Sequence, residues 1–149
     1  MKIVFYLCFI ALNFLSLFYI SNIYKDKIYK YYGVSIILNI ILFFILTIII
    51  GMFIKYLHFS FLTNFYNDNY LVGIFISLMI IIFIGIFNHL FHSMIDSVIN
   101  FHLKNNEANI NKNPIKFLIE QQDKLKKISS IIWFLGSALM LYGAWFDKK

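Results

Sequence analysis

Apolar residues run along this chain in four long blocks, near residues 3–23, 34–56, 71–95 and 128–146, each followed or preceded by a polar break. A helix rises about 1.5 Å per residue, so roughly 20 apolar residues cross the ~30 Å hydrocarbon core of a bilayer. Each block has about that length. The pattern predicts an all-α fold: one integral-membrane helical bundle over residues 1–149 with four transmembrane helices. The first block follows Lys2 as the apolar core of a signal peptide would. Its run is too long for one and no small-residue cleavage pattern follows, so an uncleaved helix is expected.

The breaks set direction and add one further element. Residues 101–127 form the only long polar segment, and within it NNEANINKNP carries the sole proline, Pro114, as a turn would. The stretch IKFLIEQQDKLKKISS then sets Phe117, Leu118, Ile119, Leu125 and Ile128 among charges. That is the pattern of an interfacial helix leading into the last span, with a solvated linker as the other reading. Lys25, Lys27 and Lys30 lie in the first break and six lysines from Lys104 to Lys127 in the third. Lys2, Lys55, Lys148 and Lys149 fall on the opposite side. Positive residues concentrate on the inner side of a membrane, which puts breaks one and three inside and both termini outside.

Composition agrees with a bilayer as solvent. The 149 residues are 61% hydrophobic and 13% charged, more apolar surface than a soluble domain of this size can bury. All thirteen basic residues are lysine, and Ile, Phe, Leu, Tyr, Asn and Lys dominate, the bias of a very AT-rich genome, bacterial or organellar. Lysines flanking membrane segments account for the formal charge of +6 without a nucleic-acid partner. Cys8 stands alone in an apolar block, which excludes a disulfide framework and reads as a small buried hydrophobe. Trp133 and Trp145 lie near the two ends of the last block, where interface anchors belong. Gly136 and Gly143 are seven apart on one face of it, and small residues let helices approach closely in lipid, so this face is expected to pack against another helix of this chain or of a partner.

Chemistry concentrates in residues 87–102, FNHLFHSMIDSVINFH. At 100° per residue, Asn88, His92, Asp96 and Asn100 form one ascending row, with His89, Ser93 and Ser97 in the next. Leu90, Phe91, Ile95, Val98 and Ile99 take the other half of the helix. A carboxylate and two imidazoles at membrane depth need a partner, a cofactor or water, and His92 and Asp96, four apart, can pair directly. The plainest of three readings is the helix leaving the membrane, its polar face packed on the headgroup region or on a neighbouring subunit. A zinc or two-metal site needs three or four converging ligands, and none joins His89, His92 and Asp96, because His58 lies near the other end of the second block and His102 far down the third. A haem needs one axial imidazole with a small residue one turn on, which His89 and Ser93 supply. Nucleophile elbows, nucleotide-binding glycine loops and paired intramembrane carboxylates are missing from the sequence, so no enzyme activity is expected of this chain beyond an accessory role in an oxidoreductase.

The same stretch resembles the small membrane anchor of succinate dehydrogenase, whose middle helix carries a pattern like H-x-x-x-G-[LM]-x-x-[VI]-x-x-D-Y. Here His89, Ser93, Met94 and Asn100-Phe101 fall at the pattern's positions, with Ser93 in place of Gly, Val98 one place late and Asn100-Phe101 in place of Asp-Tyr. Leu141-Tyr142-Gly143-Ala144-Trp145 looks like the family's closing Tyr-Gly-aromatic run. The resemblance implies that His89 ligates haem b, that Ser93 gives the porphyrin clearance, and that Asn100 and Phe101 lie beside a quinone site. It also implies an inward-running third helix, the direction lysine counting gives, and an extra helix at the N-terminus. His89 and His92 are similar as well to the H-x-x-H of cytochrome oxidase subunit III, though that family's acidic residue and Trp-rich final helix are missing.

Both resemblances imply a non-catalytic membrane-anchor or structural subunit of a respiratory-chain complex in the mitochondrial inner membrane, its partners being other membrane subunits, lipid and quinone. The alternative from another class is a small bacterial inner-membrane binding protein, such as an immunity protein against a pore-forming toxin. It needs only a helix surface and no cofactor.

Overall fold

The computed structural model describes residues 1–20, 28–57, 60–106, 108 and 110–147. Among them there is no strand, and six α-helices follow in order: α1 (Lys2–Leu15), continued by a π-helical turn over Ser16–Ile20, α2 (Ile28–Leu57), α3 (Ser60–Asn67), α4 (Tyr70–Asn105), α5 (Ile115–Glu120) and α6 (Gln122–Phe146). Four of these stretches, Lys2–Tyr19, Lys30–Tyr56, Tyr70–Asn105 and Gln122–Phe146, are long and apolar enough to cross a membrane. The protein is an all-α helical bundle of membrane type. Ile23, Lys25, Lys27, His58, Lys148 and Lys149, which bear on the sequence reading, lie outside the described residues.

The helix that carries the chemistry is longer than its apolar block. α4 has 36 residues, about 54 Å at the helical rise, against a hydrocarbon core of about 30 Å. It runs ten residues past the end of the apolar block at position 95, so much of the expected polar break is helix. α6 likewise starts at Gln122, ahead of the apolar block at 128, and α5 leads into it with only Gln121 between. Asn106 to Pro114 is all that separates these elements. Of the polar residues in these extensions, Asp96 on α4 and Gln122 and Lys126 on α6 find partners across the α4–α6 contact, described below.

α4 is the central element, with α6, α2 and α1 packed around it and α3 and α5 against its two ends. Its buried positions Ser77, Ile81, Ile84, Asn88, Ile95 and Ile99 recur at alternating steps of three, four and seven, the spacing of a near-parallel helix seam. α2 behaves differently. Only 6% of its membrane window is buried inside the chain, and outside the stripe of Tyr32, Asn39 and Phe43 that meets α4 it faces lipid or another protein.

Two glycines of α4 set the distance to neighbouring helices. A Cβ at Gly73 would stand 3.1 Å from Cη2 of Trp145, and one at Gly85 would collide with the Tyr32 phenol, 2.5 Å from its Cζ. Gly136 makes no such approach, since among the described residues no other helix lies within 4 Å of where its Cβ would stand, and at Gly143 the Asp147 side chain comes close. Among the described residues the tight helix crossings therefore rest on Gly73 and Gly85.

Two sequence expectations are corrected by the packing. Trp145 is only 4% exposed and is a core residue rather than an interface anchor. Its ring stacks on Phe5 with centroids 5.2 Å apart, and Nε1–H donates to Ser77 Oγ at 2.8 Å. The indole can lie at the centre because Ser77 satisfies its one polar group. Cys8 is exposed on the outer surface of α1 rather than buried, because α1 turns its Phe5, Phe9 and Asn13 face to the core instead.

Candidate functional site

The polar stripe of α4 meets a second polar row on α6. Gln122, Lys126 and Ser130 succeed one another at four-residue steps on α6, and each touches the α4 row. Asp96 Oδ1 accepts from Gln122 Nε2 at 2.5 Å and is paired with the Lys126 ammonium. The Lys126 side chain is 16% exposed and that of Asp96 is 43% exposed, so the cation is the better shielded partner. A shielded ammonium requires a counter-charge, and Asp96 supplies one.

One turn up, His92 Nε2 lies 3.0 Å from the carbonyl oxygen of Lys126. A carbonyl accepts only, so Nε2 carries the proton and donates. The Ser130 hydroxyl has one proton and two acceptors in range, the same carbonyl at 3.1 Å and Asn88 Oδ1 at 3.2 Å. Asn88 is fully buried and takes Ser129 Oγ as well, at 3.4 Å. Asn88, His92 and Asp96 thus form a ladder of hydrogen bonds to the start of α6. Within low-dielectric surroundings such bonds are costly to leave unmade, which ties the two helices in one register.

A second polar contact lies higher in the bundle. Asn13 Nδ2 of α1 donates to Ser137 Oγ of α6 at 2.5 Å, with both residues fully buried, and Ser137 Oγ donates to the Phe134 carbonyl at 2.8 Å. With the Ser77–Trp145 bond, α6 is tied by polar side chains at its start, middle and end.

The structure thus brings Asn88, His92 and Asp96 together with α6. It places the remaining stripe residues elsewhere. His89 is half-buried on the adjoining row, beside Ser93, which is also half-buried. Ser97, Asn100 and Phe101 are exposed, Phe101 by 58%. His102 Nδ1 lies 3.4 Å from Asn106 Nδ2 within the end of α4 itself. Among the described residues no group of three or more His, Cys, Asp or Glu could hold a metal ion.

The half of the ladder on α6 is what sequence reasoning missed. Gln122, Lys126 and Ser130 share one helix face by their spacing alone, and that row mirrors Asn88, His92 and Asp96. The signal was present, but it read as the charged face of an interfacial helix.

Comparison of the sequence with protein-family models and with curated proteins gave no match, and neither did comparison with solved structures.

Proposed function

We propose that this chain is a non-catalytic, multi-pass subunit of a membrane assembly, acting through the helix surfaces it presents to other membrane proteins. The observation that carries this reading is how the polar stripe is used. Asn88, His92 and Asp96, the residues best suited to chemistry, are spent on the contact with α6. The outward faces of α2 and α6 meanwhile are apolar and carry glycines with open space in front of them, Gly33, Gly51 and Gly136, where a partner helix can approach closely.

The finer reading is an anchor subunit of a respiratory-chain complex in an energy-conserving inner membrane, mitochondrial by the resemblance of residues 89–101. Haem b would be held by His89 with Ser93 one turn on, and a quinone would lie beside Asn100 and Phe101. His92 Nε2 is engaged by the Lys126 carbonyl, and the resemblance puts the haem ligand at His89.

Extraction from native membranes in mild detergent tests the proposal. The chain is expected to migrate in an assembly much larger than itself, and Gly136→Leu to loosen that assembly. A wild-type chain that leaves its native membrane as a lone, stable monomer would overturn the subunit reading and leave a free-standing binding protein.

A further inference from the structure

The end of the bundle opposite the ladder is built around a cleft. The first residue of α1, the α3–α4 turn and the last turn of α6 meet there and leave a space of about 650 Å³. Its lining includes Lys2, Asp68, Asn69, Asp147, Val72 and Ile76. That volume lies within the range of small-molecule sites, ~300–1,000 Å³.

The floor of the cleft is rigid. Trp145 forms part of it, pinned by Ser77 at 2.8 Å and by the stacked ring of Phe5. Gly73, also in the lining, lets the indole lie directly against α4. Gly143 does the same for a carboxylate, since Asp147 Oδ2 lies 3.2 Å from where its Cβ would stand. A side chain at position 143 would push that carboxylate away. Trp145 is thus fixed by its neighbours before a ligand arrives, which lowers the cost of binding.

The chemistry of the lining is ordered. Asp68, Asp147 and Lys2 are all exposed at the rim, where the spans end and the headgroup layer begins. Val72, Ile76 and Ala144 lie in the same lining, on the helices that continue into the hydrocarbon. Among the described lining residues there are two carboxylates and one ammonium. A group with a phosphate and an amine can set its phosphate on Lys2 and its ammonium at Asp68 and Asp147.

The geometry points to this cleft as a binding site for one phospholipid with an amine-bearing headgroup, ethanolamine being the compact form, its glycerol and upper acyl chains against Val72 and Ile76. The inference is independent of any respiratory role.

The test uses the full chain in nanodiscs of equal parts phosphatidylethanolamine and phosphatidylglycerol, with native mass spectrometry of the lipid retained after transfer to detergent. Wild type is expected to keep one lipid and to prefer ethanolamine about fivefold, the scale of two exposed charge pairs. Asp68→Asn with Asp147→Asn should bring the preference close to unity, and Lys2→Gln should lower retention of both lipids. These residues are at the surface, and an unchanged tryptophan emission would confirm that the variants keep the Trp145 core. Equal or greater retention of phosphatidylglycerol by wild type overturns the proposal. So does an unchanged preference in the double variant, and so does displacement of the lipid by soluble glycerophosphoethanolamine at matched concentration, which would make the site one for a free phosphoamine.

Discussion

His92 Nε2 on α4 donates to the backbone carbonyl oxygen of Lys126 on α6, 3.0 Å away. A side chain from the polar stripe thereby holds the backbone of another span, and the same residue, Lys126, reaches back with its ammonium to Asp96. The two bonds close a loop between one turn of α4 and one residue of α6.

Unequal exposure makes the Asp96–Lys126 pair asymmetric. Asp96→Asn leaves a mostly shielded ammonium without its counter-charge and is expected to destabilise the protein by about 1–2 kcal/mol. Lys126→Met leaves a half-exposed carboxylate that water can reach and should cost less. Thermal unfolding in detergent of both single variants and the double variant gives the coupling. A double variant no more stable than the sum of the singles would mean the pair contributes nothing.

Gly85→Ala tests the closest crossing of α2 and α4. Alanine favours a helix over glycine by about 1 kcal/mol, whereas forcing a Cβ into the Tyr32 ring costs about 1–3 kcal/mol. The net expectation is a loss of stability, reversed by adding Tyr32→Leu to make room. A stabilised Gly85→Ala single variant would show that α2 stands off α4 farther than described.

Ser77→Ala removes the acceptor of a buried indole N–H, and about 1–3 kcal/mol should be lost with it. Trp145→Phe removes the donor instead and retains most of the ring packing, so the pair Ser77→Ala with Trp145→Phe should recover part of the loss. Unfolding curves followed by tryptophan emission check the first, and circular dichroism the second.

His89→Ala and His92→Ala should part company in a reduced-minus-oxidised spectrum of the native assembly. Under the haem reading, His89→Ala abolishes a b-type band and His92→Ala keeps it while lowering the unfolding temperature. A band that survives His89→Ala, or no band in the wild type, removes haem from the account of this chain.

Orientation follows from cysteine labelling. Cys8 is exposed, so it is first replaced by Ser, and Lys116→Cys is then introduced in α5. An impermeant maleimide is expected to reach position 116 only from the inner side. Labelling from the outside would reverse the topology.

The sequence by itself determined the solvent and the spans. Length and hydropathy are local properties, readable block by block, and four blocks became four membrane-length helices. The same periodicity placed Asn88, His92 and Asp96 on one row of α4, and the structure keeps them on one contact. Only the tertiary structure decided what that row meets. The partners Asp96 and Lys126 stand 30 residues apart, and Asn13 and Ser137 stand 124 apart. No local period encodes the register of one helix on another. The same holds for the choice of Gly73 and Gly85 as the tight glycines, and for the burial of Trp145 beneath Phe5. A tryptophan near the end of a span reads as an interface anchor until a hydroxyl such as Ser77, 68 residues away, is brought within reach of its N–H. Helix formation is settled within a few turns, whereas the fate of each polar side chain depends on which other helix arrives with a matching group.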